Sequence, residues 1–161
     1  MLLALVSCTI GYPIDSGVGR SDKHWGSDQS ICILAAQHLT TGRAVGVDLW
    51  RTVDQSGNSA EATQRNAIAE EVADRVELHT SDMTALPFED NRFGMVVSSL
   101  AIHNISGRAD REKAISEAVR VLHPGGRLLI FDVRGTRHYQ AQLANSPGLT
   151  EGCSMLNLRP R

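Results

Sequence analysis

The chain has 161 residues, a formal net charge of −2, and 42% hydrophobic against 21% charged residues, the make-up of one soluble globular domain. That balance excludes a disordered tail, a membrane-embedded protein and a strongly basic nucleic-acid binder, so neither a nucleic acid nor a membrane is expected as partner. Cys8, Cys32 and Cys153 show no CxxC spacing and no pairing with histidine, so the expectation is a reducing cytoplasmic setting without a metal site.

Residues 1–10 are apolar but lack a positive start and are too few to cross a membrane, and they read as a first buried strand or helix fragment. Leu5-Val6-Ser7-Cys8 has the look of a lipoprotein cleavage site, with too few apolar residues before it to serve as one. A short run, Tyr12-Pro13-Ile14, then leads into Asp15-Ser16-Gly17-Val18-Gly19-Arg20, and a helix is expected around residues 31–39. Ala44-Val45-Gly46-Val47-Asp48 is an apolar run ending in an acid, the pattern of a buried strand whose last residue emerges at the sheet edge. Residues 59–73 are rich in alanine and glutamate and predict a helix; residues 75–79 alternate and predict a strand with Val76 and Leu78 on one side.

Gly94-Met95-Val96-Val97-Ser98-Ser99 predicts a central strand. Residues 110–122 place Ala114, Ile115, Ala118, Val119 and Leu122 on one helical stripe, with a stop expected at His123-Pro124-Gly125-Gly126. Residues 126–133 give the strongest strand of the chain. Strands alternating with helices predict an α/β fold: a doubly wound, Rossmann-like parallel sheet with helices on both faces. One domain over 1–161 is expected, its core at about 10–133, with a shortened region over 134–161 and an incomplete C-terminal antiparallel hairpin. The strand at 126–133 would then be a poorly covered edge, open to self-association.

Ligands of such sheets bind beyond the carboxyl ends of the strands. Asp15, Asp48 and Asp82 all sit where a strand ends. Gly17 and Gly19 would let backbone amides approach a ligand closely, although such a pair alone also reads as an ordinary loop. A carboxylate at Asp48 suits the two hydroxyls of a ribose, against the plainer reading of a helix-capping or solvated aspartate. Asp82 beside Met83 suits an adenine, whose amino group donates while its ring packs on the thioether, against that of a loop acid at a strand end. Together the three acids point to an adenosine-containing ligand. The dinucleotide fingerprint wants a third glycine and an acid about 20 residues on. Here Ser21 takes the place of that glycine and 33 residues separate Asp15 from Asp48, which disfavours a nicotinamide enzyme.

The order of Asp48, Ser81-Asp82-Met83, Leu86-Pro87-Phe88-Glu89-Asp90, Val96-Val97-Ser98-Ser99 and Ala118-Val119-Arg120-Val121-Leu122-His123-Pro124-Gly125-Gly126 resembles the class I S-adenosylmethionine-dependent methyltransferases, in their small-molecule "type 11" branch. The likeness covers about residues 15–132. It implies S-adenosylmethionine as cofactor and a small molecule as methyl acceptor. It implies that Asp15, Gly17 and Gly19 approach the methionine part, that Asp48 with Leu49 holds the ribose, that Asp82 with Met83 frames the adenine, and that Ser99 lies near the methionine part and the methyl acceptor. His103, after the Val96–Ser99 run, is a candidate base, against the plainer reading of a partly packed histidine at a helix start. No paired thiol pattern supports a likeness of Cys32 and Cys153 to arsenite methyltransferases.

The family's first loop normally carries a third glycine leading straight into a helix, whereas residues 21–30 here read as a polar insertion. Gly94 stands where the family has an aspartate, and only 28 residues follow Val133. The chain thus resembles a methyltransferase core shortened at both ends. A second reading follows from this: a catalytically weak or inactive relative that binds the cofactor or serves as an interaction module, with little or no turnover expected of the isolated chain.

Overall fold

The computed structural model describes residues 3–8, 31–51, 59–144, 146 and 154–157, with 3–8 and 154–157 described as backbone alone. Six strands, β1 (Leu3–Cys8), β2 (Arg43–Asp48), β3 (Val76–Thr80), β4 (Phe93–Ser99), β5 (Leu122–Asp132) and β6 (Ser154–Asn157), make one sheet. Its order is β3-β2-β1-β4-β5-β6, and every neighbouring pair is parallel. The helices α1 (Ile31–His38), α2 (Ala60–Ala69), α3 (Arg108–Arg120) and α4 (Thr136–Ala144) connect them. The strand order runs outward from β1 in both directions, so a topological switch point lies between β1 and β4.

Alternation along the strands explains why both faces are covered. Val45 and Val47 of β2 join Val96, Leu128 and Ile130 in a cluster closed by Ile115 and Ala118 of α3 and by Tyr139 and Leu143 of α4. Ala44 and Val97 point the other way, into a cluster with Cys32, Ile33 and Ala36 of α1 and Ala67 of α2. Gly46 lets α1 lie close on β2: a Cβ there would stand 2.9 Å from Leu78 Cδ2 and 3.3 Å from Cys32 Sγ. Cys32, 2% exposed, is thus a packing residue of this contact.

The doubly wound parallel architecture stands as the sequence predicts it, with three local differences. The helix expected over 59–73 ends at Ala69. Glu71, at φ +57°, turns the chain, with Val72 N–H donating to Ala67 O and Glu71 N–H to Ile68 O. That is a Schellman cap with glutamate where glycine is usual. The helix expected to run to Leu122 ends at Arg120, and β5 already begins at Leu122. His123-Pro124-Gly125-Gly126 is not a helix stop but an irregularity inside β5, where the register against β4 jumps from Phe93↔Leu122 to Met95↔Arg127. Gly125 takes φ +80°, and a Cβ on Gly126 would stand 2.9 Å from Gly94 O, so the two glycines serve different needs. Finally, β5 is not an edge: it pairs with β6 from Leu129↔Ser154 to Asp132↔Asn157, which removes the ground for self-association through it.

Candidate functional site

The carboxyl ends of the strands are level in register, with Asp48 beside Thr80 and Ser99 beside Phe131. The segments after β2, β3 and β4 surround a cleft of about 400 Å³, within the range of small-molecule sites. Asp48, Leu49 and Arg51 come from the first segment and Ser81, Asp82, Met83 and Thr84 from the second. Ala101, Asn104, Ile105 and Ser106 follow β4, and Asp110 lies in the first turn of α3. Three aspartates against one arginine give this lining a negative balance, which favours a cationic ligand and opposes a pyrophosphate.

Two of the acids are set in the same way. Asp48 Oδ1 accepts the N–H of Trp50 at 2.7 Å, and Asp82 Oδ1 accepts the N–H of Thr84 at 2.8 Å. Each carboxylate closes a turn at a strand end and is followed by an apolar residue, Leu49 or Met83. Leu49 is 45% exposed, an apolar side chain left open at the cleft. Trp50, at φ +53°, donates its indole N–H to Thr80 Oγ1 at 2.9 Å and ties the segment after β2 to the end of β3.

The segment carrying Asp82 and Met83 is fastened from behind. Arg120 donates to Leu86 O (3.0 Å), Phe88 O (2.7 Å), Asp90 Oδ1 (2.8 Å) and both oxygens of Glu117 (2.7 Å each). Glu117 Oε2 also accepts the Leu86 N–H at 2.8 Å. Hydrogen bonding to Arg120 holds the Glu117 carboxyl below the usual glutamate value against the opposing effect of burial, and the two carboxylates hold the guanidinium firmly protonated. Phe88 meets His79 and Phe93 edge-to-face, each with ring centroids 5.0 Å apart, so the Leu86-Pro87-Phe88 turn is pinned at both ends.

Of the residues singled out from the sequence, the structure brings Asp48, Leu49, Asp82 and Met83 to one cleft. Ser99 ends β4 and is 5% exposed; it does not line this cleft, although Ala101 two residues on does. Asp15, Gly17, Gly19, the polar stretch 21–30 and Cys153 lie outside the described residues. Sequence reasoning missed Trp50, Arg51, Asn104, Asp110, Glu117 and Arg120. The Glu117–Arg120 spacing on α3 was a visible signal, since i and i+3 share a helix face. His103 does not line the cleft either, although its neighbours Ala101 and Asn104 do; it lies in a 3₁₀ turn, Ile102–Asn104, with Nδ1 2.6 Å from Oδ1 of the fully buried Asp132. Among the described residues no group of three or more His, Cys, Asp or Glu is placed to hold a metal, and no helix is long and apolar enough to cross a membrane.

Comparison with known proteins agrees with this geometry. The chain is 42% identical over 107 residues to the ubiquinone/menaquinone biosynthesis C-methyltransferase UbiE of Cereibacter sphaeroides (strain ATCC 17029 / ATH 2.4.9), covering 66% of this chain and 33% of that one. It is 39% identical over 72 residues to the protein of the same description from Ruegeria sp. (strain TM1040), covering 45% of this chain and 28% of the other. The chain thus spans about a third of the length of these curated relatives. A solved geranyl diphosphate methyltransferase in complex with S-adenosylmethionine superimposes with a TM-score of 0.60 at 18% identity, over 89% of this chain and 57% of that one, a likeness of fold. The sequence profile described as "Methyltransferase domain" matches residues 25–130, which include both acid–apolar pairs of the cleft, and the chain therefore belongs to the methyltransferase domain family.

Proposed function

We propose that the chain binds S-adenosylmethionine in this cleft and transfers its methyl group to a small-molecule acceptor. The observation that carries the reading is the pair Asp48-Leu49 and Asp82-Met83, two oriented carboxylates each followed by an apolar side chain, on facing segments of one negatively lined cleft. Asp48 with Leu49 holds the ribose, and Asp82 with Met83 holds the adenine. The loop with Asp15, Gly17 and Gly19, together with the end of β4 at Ser99, is assigned to the methionine part. Bound there, the cofactor supplies an electrophilic methyl group on a cationic sulfur. The chain's own contribution is placement, since methyl transfer needs chiefly proximity and in-line geometry. The relatives named for ubiquinone and menaquinone biosynthesis make an aromatic quinol the first acceptor to try.

Calorimetric titration with S-adenosylmethionine, S-adenosylhomocysteine and NAD tests the binding. Removing one partner of a charged hydrogen bond costs about 1.5–3 kcal/mol, so Asp48→Ala is expected to weaken S-adenosylhomocysteine binding roughly ten- to a hundredfold. An unchanged affinity would remove the ribose assignment, and NAD binding more tightly than either sulfur ligand would overturn the reading. S-adenosylhomocysteine release over a panel of small acceptors then tests turnover.

A further inference from the structure

We infer that His103, oriented by the buried Asp132, is the base that removes a proton from the methyl acceptor, and that the acceptor is accordingly one whose nucleophilic atom is unmasked by loss of a hydroxyl proton. This rests on the methyl-transfer reading above. Asp132 ends β5 and is 0% exposed. Its Oδ1 accepts the N–H of Val133 at 2.7 Å and lies 2.6 Å from His103 Nδ1; its Oδ2 accepts the backbone N–H of His103 at 3.0 Å. One carboxylate thus holds the backbone of His103 and stands against its ring. The ring contact sits off the N–H direction, a looseness common before a substrate closes a site.

Burying a carboxylate completely is expensive, and an apolar side chain of similar size would pack the end of β5 without that expense. The placement makes sense for a ring that has to be held in one tautomer. With Nδ1 carrying the proton toward Asp132, Nε2 is left as an acceptor. Nδ1 is buried on the Asp132 side while the side chain as a whole keeps 15% of its surface open. The backbone sets the position: Leu100, at φ +51°, donates its N–H to Phe131 O and starts the turn that inserts His103 between Ala101 and Asn104, both at the cleft.

In the step itself the acceptor's O–H bond breaks and the proton goes to Nε2. The unmasked nucleophilic atom forms its bond to the methyl carbon while the C–S bond breaks, its electron pair staying on sulfur; where that atom is a ring carbon, its own proton then passes to the oxygen and restores the hydroxyl. The imidazolium then gives its proton to water, and one proton is released for each methyl group moved. Such a base contributes about 10²–10⁴-fold. An acceptor with no proton to lose would gain nothing from it.

The tests use the 161-residue chain, and two of them need no turnover. Ring ¹⁵N NMR of the neutral His103 is expected to show the proton on Nδ1, with the preference lost in Asp132→Asn. Carbethoxylation mapped by mass spectrometry is expected to modify His103 at Nε2. A proton on Nε2, or an unreactive ring, would overturn the proposal even where no acceptor turns over and even where Asp132→Asn does not fold. With a hydroquinone acceptor, His103→Gln is expected to lower the methyl-transfer rate at least a hundredfold while binding S-adenosylhomocysteine within twofold of the parent; transfer at the parental rate would also overturn it. Failure of the parent chain to bind S-adenosylhomocysteine would instead sink the methyl-transfer reading, a result that the affinity measurement tells apart from failure of the base.

Discussion

The Tyr139 hydroxyl is buried with no hydrogen-bond partner among the described residues, and burial, helped by the Asp132 charge, pushes its pKa up to about 12 from 10. A raised value means that the folded state holds the proton more tightly than the unfolded chain. Stability from this group is therefore fully present below pH 10 and lost as pH rises toward 12. Because the hydroxyl makes no bond, Tyr139→Phe is expected to change stability at pH 7 by less than about 1 kcal/mol while flattening that alkaline loss. Denaturant unfolding at pH 7 and pH 11 checks both, and a large loss at pH 7 would reveal a partner for the hydroxyl. Tyr139 was silent in the sequence because its burial comes from the tertiary packing, and Trp50 and Arg120 show only in part because what matters about them is a partner distant in the chain: Trp50 reaches Thr80. Arg120 reaches Leu86, Phe88 and Asp90 across 30 to 34 residues. Asp48 and Asp82 were legible because an acid that ends an apolar run announces both its element and its place at the sheet edge.

At the scale of elements, legibility followed the strength of the local signal. Strands β2, β3 and β4 fall within a residue of expectation because β-branched runs mark them. The end of α2 did not, since its left-handed cap is Glu71, which carries no glycine signal. The start of β5 was obscured by Pro124 and Gly125, which resemble a helix terminus but serve a strand irregularity opposite Gly94. The Glu117–Arg120 clasp between α3 and the Leu86-Pro87-Phe88 turn is the element-level feature that shapes the cleft wall. Arg120→Ala leaves the Leu86 and Phe88 carbonyls without their donor and is expected to cost about 2–3 kcal/mol, with weaker S-adenosylhomocysteine binding through the displaced Asp82 segment. The Glu117 carboxyl lies below its ordinary value of 4.5, first through its hydrogen bond to Arg120. Its contribution is therefore present above pH 4.5 and lost as pH falls below it. Thermal unfolding of Glu117→Gln between pH 3 and pH 7 should show a shallower acid decline than the parent; an equal slope would mean that the clasp does not titrate with folding.

For the molecule as a whole, strand–helix alternation was enough to anticipate a parallel sheet covered on both faces, because the runs that became β2, β4 and the end of β5 are apolar on both sides and helical stretches lie between them. The pairing of β5 with β6 was not anticipated, since Ser154-Met155-Leu156-Asn157 is too short to carry a strand signal of its own. The consequence for function lies in how the sheet and its ligand share stability. The cleft draws on segments that follow β2, β3 and β4 and on the start of α3, so a ligand seated there contacts four separate parts of the fold. Unfolding disperses those parts and the site with them, which makes binding free energy add to folding free energy. At a hundredfold excess over its dissociation constant, S-adenosylhomocysteine is expected to stabilise the chain by about 2.7 kcal/mol. For a chain of this size that is a rise in Tm of roughly 5–10 °C. Asp48→Ala at the same ligand concentration should lose most of the rise measured against its own ligand-free Tm, because the ribose carboxylate is gone while the rest of the cleft remains. Scanning calorimetry of both chains, with and without ligand and with NAD as a control, decides it. An equal rise in parent and variant would place the ligand elsewhere than the Asp48 side of the cleft, and a rise with NAD alone would point to dinucleotide chemistry.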